Sequence, residues 1–304
     1  MLAIQKQFGE NAAVRLGTER ASASAVVEVI PTGVEVVDYY LCAVGGLPVG
    51  RMSEWAGEEG CGKTSFMYQA IAKAQSCGAR IVVIDAEYTF DENRARVFGV
   101  VVEDVLVLQP ETLEQAFESL KTALKVYADG EAPLLIWFDT LAACKPKVLL
   151  DAAAGDAKIA AVAWLCSQEF PKIMPMLKAA RAHLAINNQL RVKLGVMFGD
   201  NTVTSGGKAI AYYASLRFQF FGGKPIKNGE KEHTGKEITL FLNKTRFSPP
   251  FRKARLRFDY DSGYVDEWCT LEHAKRFGKC PLRARGAAAH AQARVALGWA
   301  SGEG

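Results

Sequence analysis

Several things are scarce in this chain, and each scarcity excludes something. Charge imbalance is small: 37 basic and 33 acidic residues leave a formal net charge of +4 over 304 residues. A basic face for nucleic acid would therefore be local rather than global. The seven cysteines (Cys42, Cys61, Cys77, Cys144, Cys166, Cys269 and Cys280) include no C-x-x-C pair. Their odd number and spacing argue against a disulfide framework or a zinc site and fit reduced thiols in a cytoplasmic protein. No apolar run reaches the length of a membrane span, and Met1–Lys6 lacks a signal-peptide core, so no membrane partner is expected. Internal repeats and low-complexity tracts are absent apart from an Ala-rich stretch at 286–299.

Apolar residues, by contrast, make up 49% of the chain, enough for a sizeable core. The most informative stretch is Gly57-Glu58-Glu59-Gly60-Cys61-Gly62-Lys63-Thr64-Ser65, which has the form G-x-x-x-x-G-K-[ST]. Polyphosphate binding needs unhindered backbone N–H groups, and the three glycines let the chain curl around an anion. Lys63 is placed to reach β/γ-phosphates and Thr64 to ligate Mg²⁺. Arg51–Ala56 before the loop reads as a strand and Phe66–Ala74 after it as a helix whose N-terminal dipole faces the anion. Cys61 reads as a tolerated small residue, not a nucleophile.

In chain order, residues 1–17 read as a short amphipathic helix (Leu2, Ile4, Phe8) and 18–25 as a linker. Val26–Ile30 reads as a strand, 34–42 as helix-like and Gly45–Pro48 as a turn. Arg80–Asp85, Val105–Leu108, Leu134–Asp139 and His183–Asn188 are apolar runs expected as strands buried on both faces of a parallel sheet. Helical spacing marks 111–128 and 157–182, with Pro171 and Pro175 expected to kink or divide the latter. Residues 208–221 pass from helix to strand, and 236–242 with 254–260 suggest hairpins. The expected fold is α/β: a mostly parallel sheet flanked by helices, with ligands at the carboxyl ends of the strands.

Polar residues fall at those ends. Asp139 suits a Mg²⁺-holding carboxylate, the alternative being a cap on the next helix. Glu87 suits a general base or water-positioning group, with Asp85 competing for the role. Gln189 is a neutral amide placed to sense a γ-phosphate and report to the segment after it. That segment, Leu190–Gly207, has few secondary-structure signals and is long for a connection. It mixes Arg191 and Lys193 with Leu194, Gly195, the apolar Val196-Met197-Phe198, and then Ser205, Gly206 and Gly207. Charge for phosphates, an apolar wedge for bases and free N–H groups together suit a single nucleic-acid strand.

These motifs resemble, in order and over roughly residues 4–270, the bacterial and phage RecA-type recombinase family. The match includes Pro31-Thr32-Gly33, Gly45-Gly46-Leu47-Pro48, Ile84-Asp85-Ala86-Glu87, Asn188-Gln189, the run 193–199, Gly206-Gly207, Tyr213-Ala214-Ser215 and Asn243-Lys244. Lys6–Gly9 and Arg15–Gly17 are similar to the family's N-terminal docking helix. The resemblance implies a RecA-like P-loop NTPase core over 33–270, an oligomerisation segment over 1–32 and a short basic tail over 271–304. It implies a DNA-dependent ATPase using ATP and Mg²⁺. Such a protein forms a helical homo-oligomeric filament on single-stranded DNA and pairs it with double-stranded DNA in recombination and repair. Glu87 would be catalytic, Lys244 would act on a neighbour's phosphate, and Asp91, Arg94 and Tyr260 would lie near adenine. A first DNA loop would occupy about 151–159, with Ile159 and Ser167 contributing contacts.

The chain departs from the family pattern in places. Arg94 stands where an aromatic is usual, and Leu242 replaces a second trans-acting lysine. Glu237, Thr239 and Phe221-Gly222 replace basic residues tied to duplex capture, and Trp164 and Pro171 stand where DNA-contacting arginines are expected. The family's globular C-terminal domain is expected to be absent or vestigial, and the net-basic tail (Lys275, Arg276, Lys279, Arg283, Arg285 and Arg294 against Glu272 and Glu303) suits an auxiliary DNA-binding arm. Two alternatives stay open: an ATP-gated DNA-coating filament with little strand exchange, and a related hexameric P-loop motor.

Overall fold

The computed structural model describes residues 6–7, 28–128, 130–149, 157–192 and 202–277. The expected N-terminal helix and linker (1–25), the DNA-loop segments 151–156 and 193–201, and the tail beyond 277 lie almost wholly outside the described residues.

Uninterrupted apolar runs can hide both faces only at the centre of a sheet, and the chain obeys this. The strands are β1 (Val29–Ile30), β2 (Leu47–Pro48), β3 (Arg51–Gly57), β4 (Arg80–Asp85), β5 (Val105–Leu108), β6 (Leu134–Asp139), β7 (Ala182–Val192), β8 (Thr202–Thr204), β9 (Leu216–Lys227), β10 (His233–Thr245), β11 (Arg252–Asp259) and β12 (Gly263–Tyr264). The main sheet runs β12-β11-β10-β9-β3-β7-β6-β4-β5, with β8 added to β7. From β9 to β5 the pairs are parallel, and β9 to β12 are antiparallel. Every residue of Leu134–Asp139 is buried.

Helices are α1 (Lys63–Ser76), α2 (Glu92–Val97), α3 (Leu113–Val126), α4 (Ala157–Ala179), α5 (Gly207–Tyr213) and α6 (Asp266–Phe277). One face of the sheet packs α1 and α6 through a core that includes Trp55, Phe66, Trp137, Phe218 and Cys269. The other packs α3, α4 and α5 through Phe117, Phe138, Phe170 and Ile210. Trp55 stacks on Phe218 with centroids 4.1 Å apart. Its Nε1–H donates to Ser53 Oγ at 2.8 Å, and Ser53 Oγ lies 2.8 Å from His183 Nε2. His183 is fully buried, its Nδ1 is 2.8 Å from the Pro48 carbonyl, and burial lowers its pKa to about 4. A neutral ring donating from Nδ1 leaves Nε2 to accept the Ser53 hydroxyl proton.

Several expectations need correction. The turn at Gly45–Pro48 contains a strand, Leu47–Pro48, paired antiparallel with Val29–Ile30. The helix-like stretch 34–42 is a π-helical turn, Val36–Leu41. Val105–Leu108 is a sheet edge rather than an interior strand, with Leu106 exposed. Pro171 and Pro175 do not divide α4. Spaced four residues apart, both sit on its exposed side, so the backbone bonds they delete face solvent. α6 runs across residue 270 and buries Cys269, His273 and Ala274 against the core. Among the described residues no helix is long and apolar enough to cross a membrane.

Candidate nucleotide site and the base of the DNA hairpin

β3 ends at Gly57 in the middle of the sheet, and the loop to α1 opens at the carboxyl ends of the parallel strands. Gly62 holds φ +105°, and a Cβ there would lie 2.8 Å from the Tyr264 hydroxyl and 2.9 Å from Ile238 Cδ1. Only glycine meets both demands. Lys63 Nζ folds back on the loop, donating to the carbonyls of Gly57 at 3.0 Å and Glu58 at 2.7 Å. Cys61 is buried, and burial raises its thiol pKa, the opposite of an activated nucleophile.

Thr64 Oγ1 donates to Asp139 Oδ2 at 3.1 Å. Asp139 is buried, and burial raises its pKa, with the Asn187 amide, the Thr64 hydroxyl and the Lys63 ammonium pulling the other way. A half-buried hydroxyl and a buried carboxylate beside a phosphate loop fit a hydrated divalent cation shared with phosphate. Asp139 does not cap a helix: Thr140 Oγ1 accepts the next free amide, from Ala142.

The rivalry between Asp85 and Glu87 has a structural answer. Asp85 accepts from the amides of Thr89 and Phe90 at 3.1 Å each and from Gln109 Nε2 at 3.2 Å, so it shapes the turn after β4. Among the described residues Glu87 has one long side-chain hydrogen bond, from Gln189 Nε2 at 3.5 Å. Its pKa is raised, first by burial and then by Asp139.

The adenine side assembles differently from its sequence spacing. Asp91 caps α2 by accepting the Arg94 amide at 3.0 Å, and its own amide donates to Tyr68 Oη at 2.9 Å. Arg94 Nη1 donates to the Tyr260 carbonyl at 2.7 Å, and its guanidinium lies 5.0 Å from the Phe98 centroid. Arg94, Phe258 and Tyr260 line one cleft with Gly60, Gly62, Lys63, Thr64, Ser65 and Lys236. Asp91, Glu87, Asp139 and Gln189 stand outside that lining.

Gln189 is the last residue of β7 in register with β3, opposite Gly57. The stretch expected as a featureless loop is instead a hairpin base, with Leu190, Arg191 and Val192 paired to Thr204, Val203 and Thr202. Asn188 Nδ2 donates both to Glu54 Oε1 at 3.0 Å and to the Ser205 carbonyl at 2.9 Å, and Glu54 Oε2 accepts from Arg217 Nε at 2.6 Å. This buried network, which sequence reasoning missed, ties the return of the hairpin to the strand that carries the phosphate loop. Gly206 at φ +88° and Gly207 at φ +62° bring α5 against Leu141 and Ala163. Lys193, Leu194, Gly195, Val196, Met197 and Phe198 lie outside the described residues. On α4, Ile159 falls in the first turn and the exposed Ser167 donates to the Trp164 carbonyl at 2.6 Å.

Lys244 points away from its own phosphate loop. It pairs with Arg217, which pairs with Glu54, three positions below Gly57 on β3. Its Nζ donates to the Ala211 and Tyr212 carbonyls at 2.6 and 3.0 Å, closing the end of α5. The cation that sequence spacing did not reveal is Lys236, whose position in the cleft depends on the pairing of β10.

A family model described as the RecA N-terminal domain matches residues 1–265. Protein RecA of Treponema pallidum is 34% identical over 273 residues, covering 90% of this chain and 65% of that protein. Protein RecA of Herpetosiphon aurantiacus is 36% identical over 281 residues, covering 90% and 76%. That of Bdellovibrio bacteriovorus is 36% identical over 271 residues, covering 89% and 70%. The chain thus spans between 65% and 76% of the length of these relatives. With that match and this site at the strand ends, the chain belongs to the RecA family.

Proposed function

We propose that this chain is a DNA-dependent ATPase that assembles as a filament on single-stranded DNA and pairs it with homologous duplex. The observation that carries the reading is the Glu87–Gln189 contact, which places a free carboxylate of the nucleotide side against the root of the 190–204 hairpin. A nucleoside triphosphate with Mg²⁺, when bound, supplies the cleavable anhydride and the divalent charge. Lys63, Thr64 and Asp139 would hold it. Glu87, its pKa raised by burial, accepts a proton from a water held at its carboxylate. Gln189 Nε2 holds that carboxylate at hydrogen-bond range and exchanges it for another acceptor when the site's charge changes. Arg191, Lys193 and Phe198, in the segment that Gln189 leads into, would meet the DNA. Lys244, turned from its own loop, acts on the site of a neighbouring copy.

A second reading has its own observation. Leu242 is fully buried in the core, so the position contributes packing rather than charge to a neighbour's site. This favours slow turnover, and in the limit an ATP-gated coat with little strand exchange. The deciding experiment measures ATP hydrolysis with and without single-stranded DNA, alongside strand exchange. DNA-stimulated turnover that Lys63→Ala abolishes supports the first reading. Filaments with neither stimulation nor exchange support the second.

A further inference from the structure

Along β10, Ile238, Leu240 and Leu242 form one buried row, and Lys236 continues it. The β9–β10 register shifts between Lys236 and Ile238 with the extra residue on β9, while β10 pairs continuously with β11, so Lys236 keeps the direction of the row. Ile238 ends against the phosphate loop, where its Cδ1 would meet a Cβ on Gly62 at 2.9 Å. Lys236, two residues on, reaches over it and donates Nζ to the Gly60 carbonyl. The same Nζ lies 5.9 Å from the Phe258 ring centroid.

The cleft at this point is lined by Lys63, Lys236 and Arg94 and by no carboxylate among the described residues. All three cations donate to neutral backbone carbonyls: Lys63 to those of Gly57 and Glu58, Arg94 to that of Tyr260 and Lys236 to that of Gly60. Lys236 stands between the loop and the Phe258–Tyr260 wall, the place where a nucleotide's phosphates give way to its sugar and base. Burial lowers the Lys236 pKa, with Cys61 pulling the other way and Lys63 adding to the lowering, and no carboxylate among the described residues lines the cleft beside it. A charge-assisted bond to an anion answers that lack better than a neutral carbonyl.

We propose that Lys236 is a phosphate-binding residue of the nucleotide site, its ammonium exchanging the Gly60 carbonyl for a non-bridging oxygen of the phosphates common to di- and triphosphate. The proposal rests on the reading of this cleft as a nucleotide site. Its rival is a purely mechanical role, a brace on the loop through Gly60.

The test titrates the full chain with fluorophore-labelled ADP and ATP over a series of salt concentrations, in the native protein, Lys236→Gln and Lys236→Arg. The expected result is a roughly tenfold loss of affinity for both nucleotides in Lys236→Gln. Its salt dependence should be flatter, and Lys236→Arg should recover most of the loss. Affinity within twofold of native, or a loss that leaves the salt dependence unchanged, overturns the proposal in favour of the brace. If Lys236→Gln unfolds, the Lys236→Arg titration decides, and a tenfold loss in that variant counts against. A native protein that binds neither nucleotide overturns the underlying site reading instead, and is seen before any variant is made.

Discussion

Replacing Asp139 with Asn separates what the site needs from what the fold prefers. Asp139 and Asp85 are in-register neighbours on parallel strands, whose spacing is about 4.8 Å. Burial is what chiefly disfavours the Asp139 charge; repulsion from Asp85 adds at most roughly 3 kcal/mol for unit charges about 6 Å apart at an effective dielectric near 20, and Asn187, Thr64 and Lys63 offset part of the total. The Thr64 hydroxyl, now 3.1 Å from Oδ2, keeps an acceptor in the Asn carbonyl. Because the folded-state pKa of Asp139 is raised, the folded state bears the burden of the charge at neutral pH and sheds it as pH falls through that pKa. Asp139→Asn should therefore stabilise the nucleotide-free protein at pH 7–8 by about 1 kcal/mol. The gain should fade on acidification. With ATP and Mg²⁺ the order should reverse: binding raises the native midpoint, and the variant gains little. Urea melts at several pH values, with and without Mg²⁺–ATP, read both effects. A variant less stable at neutral pH, or one with native Mg²⁺-dependent stabilisation, would refute the reasoning.

Three further outcomes are expected from the geometry. Glu87→Gln should lower turnover by 10²–10⁴-fold while nucleotide affinity stays within a few-fold, and should remove an acid limb of the pH–rate profile lying above the usual glutamate range; undiminished turnover would exclude the role. Gly206→Ala should destabilise by about 2–3 kcal/mol in urea melts, because φ is +88° and the new Cβ meets Ile210 Cδ1 at 2.5 Å and Leu141 Cδ2 at 2.9 Å. His183, buried and neutral with a pKa of about 4, binds its proton more weakly folded than unfolded, so the native protein should lose up to about 3 kcal/mol between pH 6.5 and 4 on its account. His183→Gln should show a shallower acid slope, and parallel slopes would count against that reading.

What was legible in the sequence was what local pattern dictates. Apolar runs such as Leu134–Asp139 announce interior strands, and strand, glycine loop and helix announce the phosphate site. What stayed hidden depends on pairing partners far along the chain. Leu190–Val192 looks irregular because its three residues become strand only against Thr202–Thr204. Val105–Leu108 carries an interior-type pattern at an edge because Val105 and Val107 pack on one core and Leu108 on the other, while nothing pairs with its outer side among the described residues. The choice of Glu87 over Asp85 required seeing which carboxylate the turn amides occupy. Lys236 reaches Gly60 because β10 pairs with β9 and β11, contacts that local sequence does not show.

In the proposed mechanism, nucleotide state reaches the DNA-binding segment through Gln189. The most direct test of this coupling is single-stranded DNA affinity, with and without a non-hydrolysable ATP analogue, in the native protein and in Gln189→Ala. Strong enhancement by the analogue is expected in the native protein. In the variant the enhancement ratio should fall to near one, with analogue binding and thermal stability unchanged. An equal enhancement in both proteins would contradict the coupling.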